Sequence, residues 1–126
     1  MTQTSLNNEK ITVDTGLDSI VIINHIEGIP GGRSLNVTGF SPAVIKAGHV
    51  VIKDNNDEYK PMPVANDAYA SLPLNHTIVG VVSASVLTTK AMVGIMVRGS
   101  VNTEASPYPV TGAIKTALPL IRFTKD

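Results

Sequence analysis

The segment Met92-Val93-Gly94-Ile95-Met96-Val97-Arg98 is apolar on both of the faces that a β-strand presents. Met92, Gly94 and Met96 fall on one face, and Val93, Ile95 and Val97 on the other. Ile20–Ile23 and Val79–Val82 behave in the same way. A strand of this kind has to be covered on two sides. In 13.3 kDa a lone sheet cannot bury two faces by itself. Either a second sheet closes a sandwich, or a second chain covers the surplus.

The rest of the composition agrees with strands. Val, Ile and Thr number 15, 12 and 12, and their branched side chains fit a pleated surface better than a helix. Ten Gly and eight Pro punctuate the chain every few residues. The expected fold is all-β (mainly β), a small antiparallel β-sandwich or β-barrel-like domain with one short helix near the C-terminus. A length of 126 residues suits one folding unit, usually roughly 100–150 residues.

Residues 1–16 read as a flexible polar N-terminal arm, and 17–126 as the single domain. Strands are expected at Lys10–Asp14 and Ser19–Ile26, the second lying between layers or against another subunit. Gly28–Gly32 breaks the chain. Short strands follow at Ser34–Thr38, Val44–Ile45 and His49–Lys53. Asp54-Asn55-Asn56-Asp57 is a hairpin turn, because Asx residues tolerate the left-handed region and bond their own backbone. Glu58–Val64 returns as the partner strand, an edge or a polyproline-like segment, since Pro61 and Pro63 have no N–H for a ladder. Asn66–Leu72 is read as one helical turn capped by Asn66 or Asp67. Thr77–Ser85 and Ala91–Arg98 are paired as an antiparallel hairpin through a tight turn at Thr88-Thr89-Lys90, continuing past a bulge or bend at Gly99. Val110, Ala113, Ile114, Ala117 and Leu118 form one apolar stripe of a short helix. Pro119 stops it, and Leu120–Phe123 closes the domain as a strand.

Several chemistries lack their residues. Ten positive against ten negative charges argue against nucleic-acid binding, which needs clustered cations to displace counterions. The absence of Cys removes disulfides, thiolate metal sites and thiol nucleophiles. No apolar run approaches the roughly 20 residues of a spanning helix, and the first ten residues lack a signal-peptide pattern. His25, His49 and His76 have no ligand spacing and read as ordinary strand-end residues. Asp54, Asn56 and Glu58 alternate like the first ligands of a calcium loop, but Tyr59 and Ala65 stand where its Gly and bidentate Glu belong. Gly28–Arg33 lacks the Lys-Ser/Thr of a phosphate loop, and no Gly-x-Ser-x-Gly elbow surrounds Ser83 or Ser85. No catalytic, cofactor-binding or metal-binding residues are therefore assigned, and no cofactor is expected.

Four segments taken in order carry a resemblance. They are Pro42–Lys53, Tyr59–Val64, Thr77–Val82 and Met96–Asn102. Together, over about Gly32 to Phe123, the chain resembles the head fibre and capsid decoration (auxiliary) proteins of tailed bacteriophages, including those of crAss-like phages. The resemblance implies a small β-tulip or sandwich on the outer surface of the capsid in the virion, commonly trimeric, bound to the major capsid protein and without catalysis, nucleic-acid or membrane contact. Neither heptads nor a Gly-X-Y run of a projecting shaft is present. The surplus apolar residues Ile20, Ile22, Met92 and Met96 are the expected oligomer or capsid contact. A carbohydrate-binding module for host or mucus adhesion is the alternative, with only Tyr59, Tyr69 and Tyr108 available to stack on a sugar.

Overall fold

The computed structural model describes residues 18–40 and 42–124, so the arm and the expected Lys10–Asp14 strand lie outside the described residues. One helical turn, α1 (Asp18–Val21), leads into β1 (Ile22–Gly28). There follow β2 (Arg33–Ser34), β3 (Val44–Ile45), β4 (Val50–Lys53), β5 (Tyr59–Pro61), β6 (Val64–Ala65) and β7 (Ala68–Tyr69). The second half holds β8 (Thr77–Val82), β9 (Val86–Leu87), a 3-10 turn (Thr88–Lys90), β10 (Met92–Val93), β11 (Ile95–Asn102), α2 (Gly112–Ala117) and β12 (Ile121–Thr124).

The main sheet runs β1-β11-β8-β4-β5, with β12 also on β11. β11 is its axis. β1 occupies one edge of β11, while β8 (Ile95↔Val82, Met96↔Val81) and the parallel β12 (Gly99↔Ile121 to Asn102↔Thr124) share the other. Three two-stranded ribbons, β2–β10, β3–β9 and β6–β7, complete a small sandwich-like all-β domain.

The doubly apolar strands β4, β8 and β11 are covered within the chain. Val50 and Ile52 of β4, Val81 of β8 and Met96 of β11 pack with Ile114 and Leu118 from the α2 segment and Ile121 of β12. Their neighbours Val51, Val82 and Ile95 pack on the opposite face with Ile45 and Val93 from the two ribbons and with Leu35, which follows β2. Each fully buried Val, Leu or Ile contributes about 1.5–3 kcal/mol, so both faces hold the domain together. Of the two ways to satisfy these strands, the chain uses its own second layer.

Several local expectations are met. Asp54 Oδ1 accepts the N–H groups of Asn56 (2.8 Å) and Glu58 (3.0 Å), Asp57 sits at φ +61°, and β4 pairs with β5 across this turn. These N–H donors hold the Asp54 carboxyl below its ordinary range. β5 with Pro61 is indeed an edge. Thr111 caps α2, its Oγ1 accepting from Ile114 N at 3.4 Å.

Three expectations are corrected. Ser19–Ile26 is not one strand, since α1 turns first and β1 begins at Ile22. β8 and β11 are antiparallel neighbours, but no tight turn joins them. The connection instead leaves the sheet to supply β9 to β3 and β10 to β2. Asn66 and Asp67 cap no helix: both have positive φ (53° and 61°) and form the two-residue turn of the β6–β7 hairpin. Asp67→Gly removes the cost of a Cβ at positive φ. It is expected to stabilise the domain by about 1 kcal/mol, a rise of a few degrees in Tm on thermal unfolding.

Candidate interaction surface

The four residues assigned to a contact from sequence have separate fates. Met96 is 0% exposed in the main core. It is therefore a packing residue, and its expected role in a contact is corrected. Ile22 is half-buried against the same core. Ile20 on α1 and Met92 on β10 remain exposed, at 47% and 59%. They are not brought together. Ile22 pairs with Val101 late in β11, whereas Met92 pairs with Ser34 ahead of Ile95. The six steps from Ile95 to Val101 alone span roughly 20 Å.

The surface that does form follows β1, an edge strand whose described residues pair with β11 alone. Ile22 faces Val101 and Asn24 faces Ser100, two steps on β1 against one on β11. Ile23 is thus an extra, bulged residue. His25 faces Gly99 and Glu27 faces Arg98, which makes Ile26 a second. All of 23–27 is exposed, and the exposed isoleucines of this segment are Ile20 on α1 and Ile23 (46%) and Ile26 (55%) on β1. Strict alternation would have placed Ile20, Ile22 and Ile26 together, and no turn residue in Ile22–Gly28 announces a bulge. The bulges also roughen the edge, which discourages plain strand addition and leaves side chains to make the contact.

The end of β1 nearer α1 is fastened. Asp18 accepts from Ser85 N (2.9 Å) and Ser85 Oγ (2.7 Å), and that hydroxyl accepts from Ala47 N (3.0 Å). Val21 fills the core beneath. The isoleucines therefore stand on an anchored segment.

A second cluster was not visible in sequence. His49, scarcely exposed at 1%, lies at the centre of Phe40, Tyr69 and Tyr108, with ring centroids 5.3, 5.3 and 5.6 Å away, all edge-on. Its Nε2–H donates to Met62 O at 3.0 Å, and burial lowers its pKa to about 4. The Tyr69 hydroxyl accepts from Val50 N at 3.1 Å and is pushed up by burial. Three of the five aromatic residues are thereby consumed in packing around a neutral imidazole. Among the described residues no three His, Asp or Glu side chains gather to hold a metal ion. Among the described residues no helix is long and apolar enough to cross a membrane.

Compared with protein-family models, curated proteins and solved structures, the chain matches none.

Proposed function

We propose that this chain is a structural virion protein, a head fibre or decoration protein that docks on the outside of a phage capsid through the isoleucine edge of β1. The observation that carries this reading is the exposure of Ile20 on α1 and of Ile23 and Ile26 on the bulged edge strand β1, in a domain whose strands β4, β8 and β11 are already covered. Isolated exposed apolar residues are ordinary, but three within one short segment mark a surface that associates. The resemblance of Pro42–Lys53, Tyr59–Val64, Thr77–Val82 and Met96–Asn102 to capsid decoration proteins supports the same reading. The partner is the major capsid protein, and the assembly is a homotrimer.

The carbohydrate-binding alternative draws less support. Tyr69 and Tyr108 pack on each other (5.3 Å) and on His49. The Arg33 guanidinium lies 5.6 Å over the Tyr59 ring. None of the three tyrosines offers a free flat platform for a sugar.

The test is sedimentation with empty heads assembled from the major capsid protein of the same genome. The chain is expected to pellet with the heads saturably, and light scattering to give three times the chain mass. A monomer that stays in the supernatant at micromolar concentration overturns the proposal.

A further inference from the structure

The edge of the main sheet opposite β1 carries a small cavity of about 250 Å³, below the roughly 300 Å³ at which pockets for drug-sized ligands begin. Phe40, Pro61, Pro63 and Pro73 supply apolar wall, and Asn36, Lys60 and His76 supply polar groups. The chain builds this arrangement deliberately in space. Asn36 N–H donates to Tyr59 O at 2.8 Å, fastening the 36–40 loop to β5. Asn36 Oδ1 accepts from Thr38 N at 3.0 Å, which leaves the amide NH2 as the group Asn36 offers.

The two basic side chains are hydrogen-bonded to each other. His76 Nδ1–H donates to Leu74 O at 2.9 Å, so in the neutral ring Nε2 carries the lone pair. That lone pair accepts from the Lys60 ammonium at 3.2 Å. The neutral ring therefore positions the cation without cancelling its charge. Two carboxylates face this pair: Glu58, at a loose 3.7 Å and half-exposed, and Asp54, in the hairpin turn and attracted to both Lys60 and His76. Surface pairings of this kind are worth little in water, so an acid bound in the cavity competes with them. A held cation with two further donors, beside an amide NH2 and an apolar wall, is complementary to a carboxylate carried on a compact ring.

We propose that this cavity binds a small ring-borne carboxylate, the acid on Lys60 and Asn36 and the ring against Phe40 and the prolines. It lies apart from the β1 surface and stands or falls independently of capsid docking. Two sources share this chemistry, an acidic monosaccharide and an aromatic acid, and the probes separate them.

Amide chemical shifts of the full chain are followed by 1H–15N correlation spectra during titration with sodium glucuronate, sodium benzoate, glucose, benzamide and inorganic phosphate. At least one of the two acids is expected to saturate at millimolar concentration, shifting Asn36, Gly39, Lys60 and His76. Glucuronate alone assigns the sugar acid, and benzoate alone the aromatic one. Lys60→Gln is expected to weaken that binding at least tenfold, with the dispersed spectrum reporting an intact fold. His76→Gln serves as a second variant, and Lys90→Gln leaves binding unchanged. Failure of both acids to saturate overturns the proposal, as does equal binding of a neutral analogue. Phosphate binding as tight as the acids, or undiminished affinity in Lys60→Gln, also overturns it.

Discussion

Gly99→Ala is expected to lower the stability of the domain by about 3 kcal/mol or more. Gly99 lies in the middle of β11 at φ +154°, a backbone conformation that costs an ordinary L-residue about 1–3 kcal/mol. Space adds a second penalty. A Cβ there would run into the carbonyl oxygen of Asn24 on β1 and stand 2.7 Å from Met96 Sδ. The sulfur can yield, but the carbonyl belongs to the strand that pairs with Gly99 through His25. Relief therefore means separating β1 from β11 or repacking the core around Met96, and overpacking of this kind costs about 1–3 kcal/mol by itself. Urea unfolding checks it. The midpoint should fall sharply, whereas Gly112→Ala, whose new Cβ meets nothing within 4 Å, should leave it unchanged or slightly raised. An unchanged Gly99→Ala midpoint would contradict the β1–β11 register.

Acidification is expected to remove about 3 kcal/mol of stability through His49 alone. The folded-state pKa of about 4 lies below the ordinary 6.5 because burial penalises the imidazolium, a cost that the Met62 carbonyl offsets only in part. Between these values the unfolded chain binds a proton that the folded chain does not, so stability rises with pH. The contribution is fully present above pH 6.5, fades as pH falls, and is gone below about 4. The size follows from about 1.4 kcal/mol per pH unit. Asp54 adds a loss of its own only at lower pH, because its folded pKa is depressed from 3.8. Chemical denaturation at a series of pH values measures the slope. His49→Gln, which keeps a donor for Met62 O, should flatten the curve between pH 6.5 and 4. An equally steep variant would place the acid sensitivity elsewhere.

Much of the architecture could be read in the residues. β-branched side chains between Gly and Pro gave short strands, Asp54 and Asn56 their turn, Pro61 an edge, and the Ile114–Leu118 stripe a helix ended by Pro119. The limits were equally physical. Apolar residues on both faces of β4, β8 and β11 state that two faces are covered without stating by what. Here the ribbons carrying Ile45 and Val93 cover one of them, and residues as short as Arg33–Ser34 give no periodicity from which a strand is read. Asn66-Asp67 suits a helix cap and a tight hairpin equally, because both exploit Asx chemistry. The exposed isoleucine segment was legible only in its neighbourhood. Ile22 is half-buried where Ile23 is exposed, and Met96 went into the core. The His49 cluster draws Phe40, Tyr69 and Tyr108 from distant segments, which no local pattern reveals.

The most direct measurement compares the wild-type chain with the Ile23→Asp/Ile26→Asp double variant for sedimentation with empty heads. Both side chains are about half exposed, so the variant should unfold within about 1 kcal/mol of the wild type. Burying either carboxylate at an interface without a partner is costly, so head binding should weaken at least tenfold. Undiminished binding by the folded variant would contradict the assignment of the β1 edge as the docking surface.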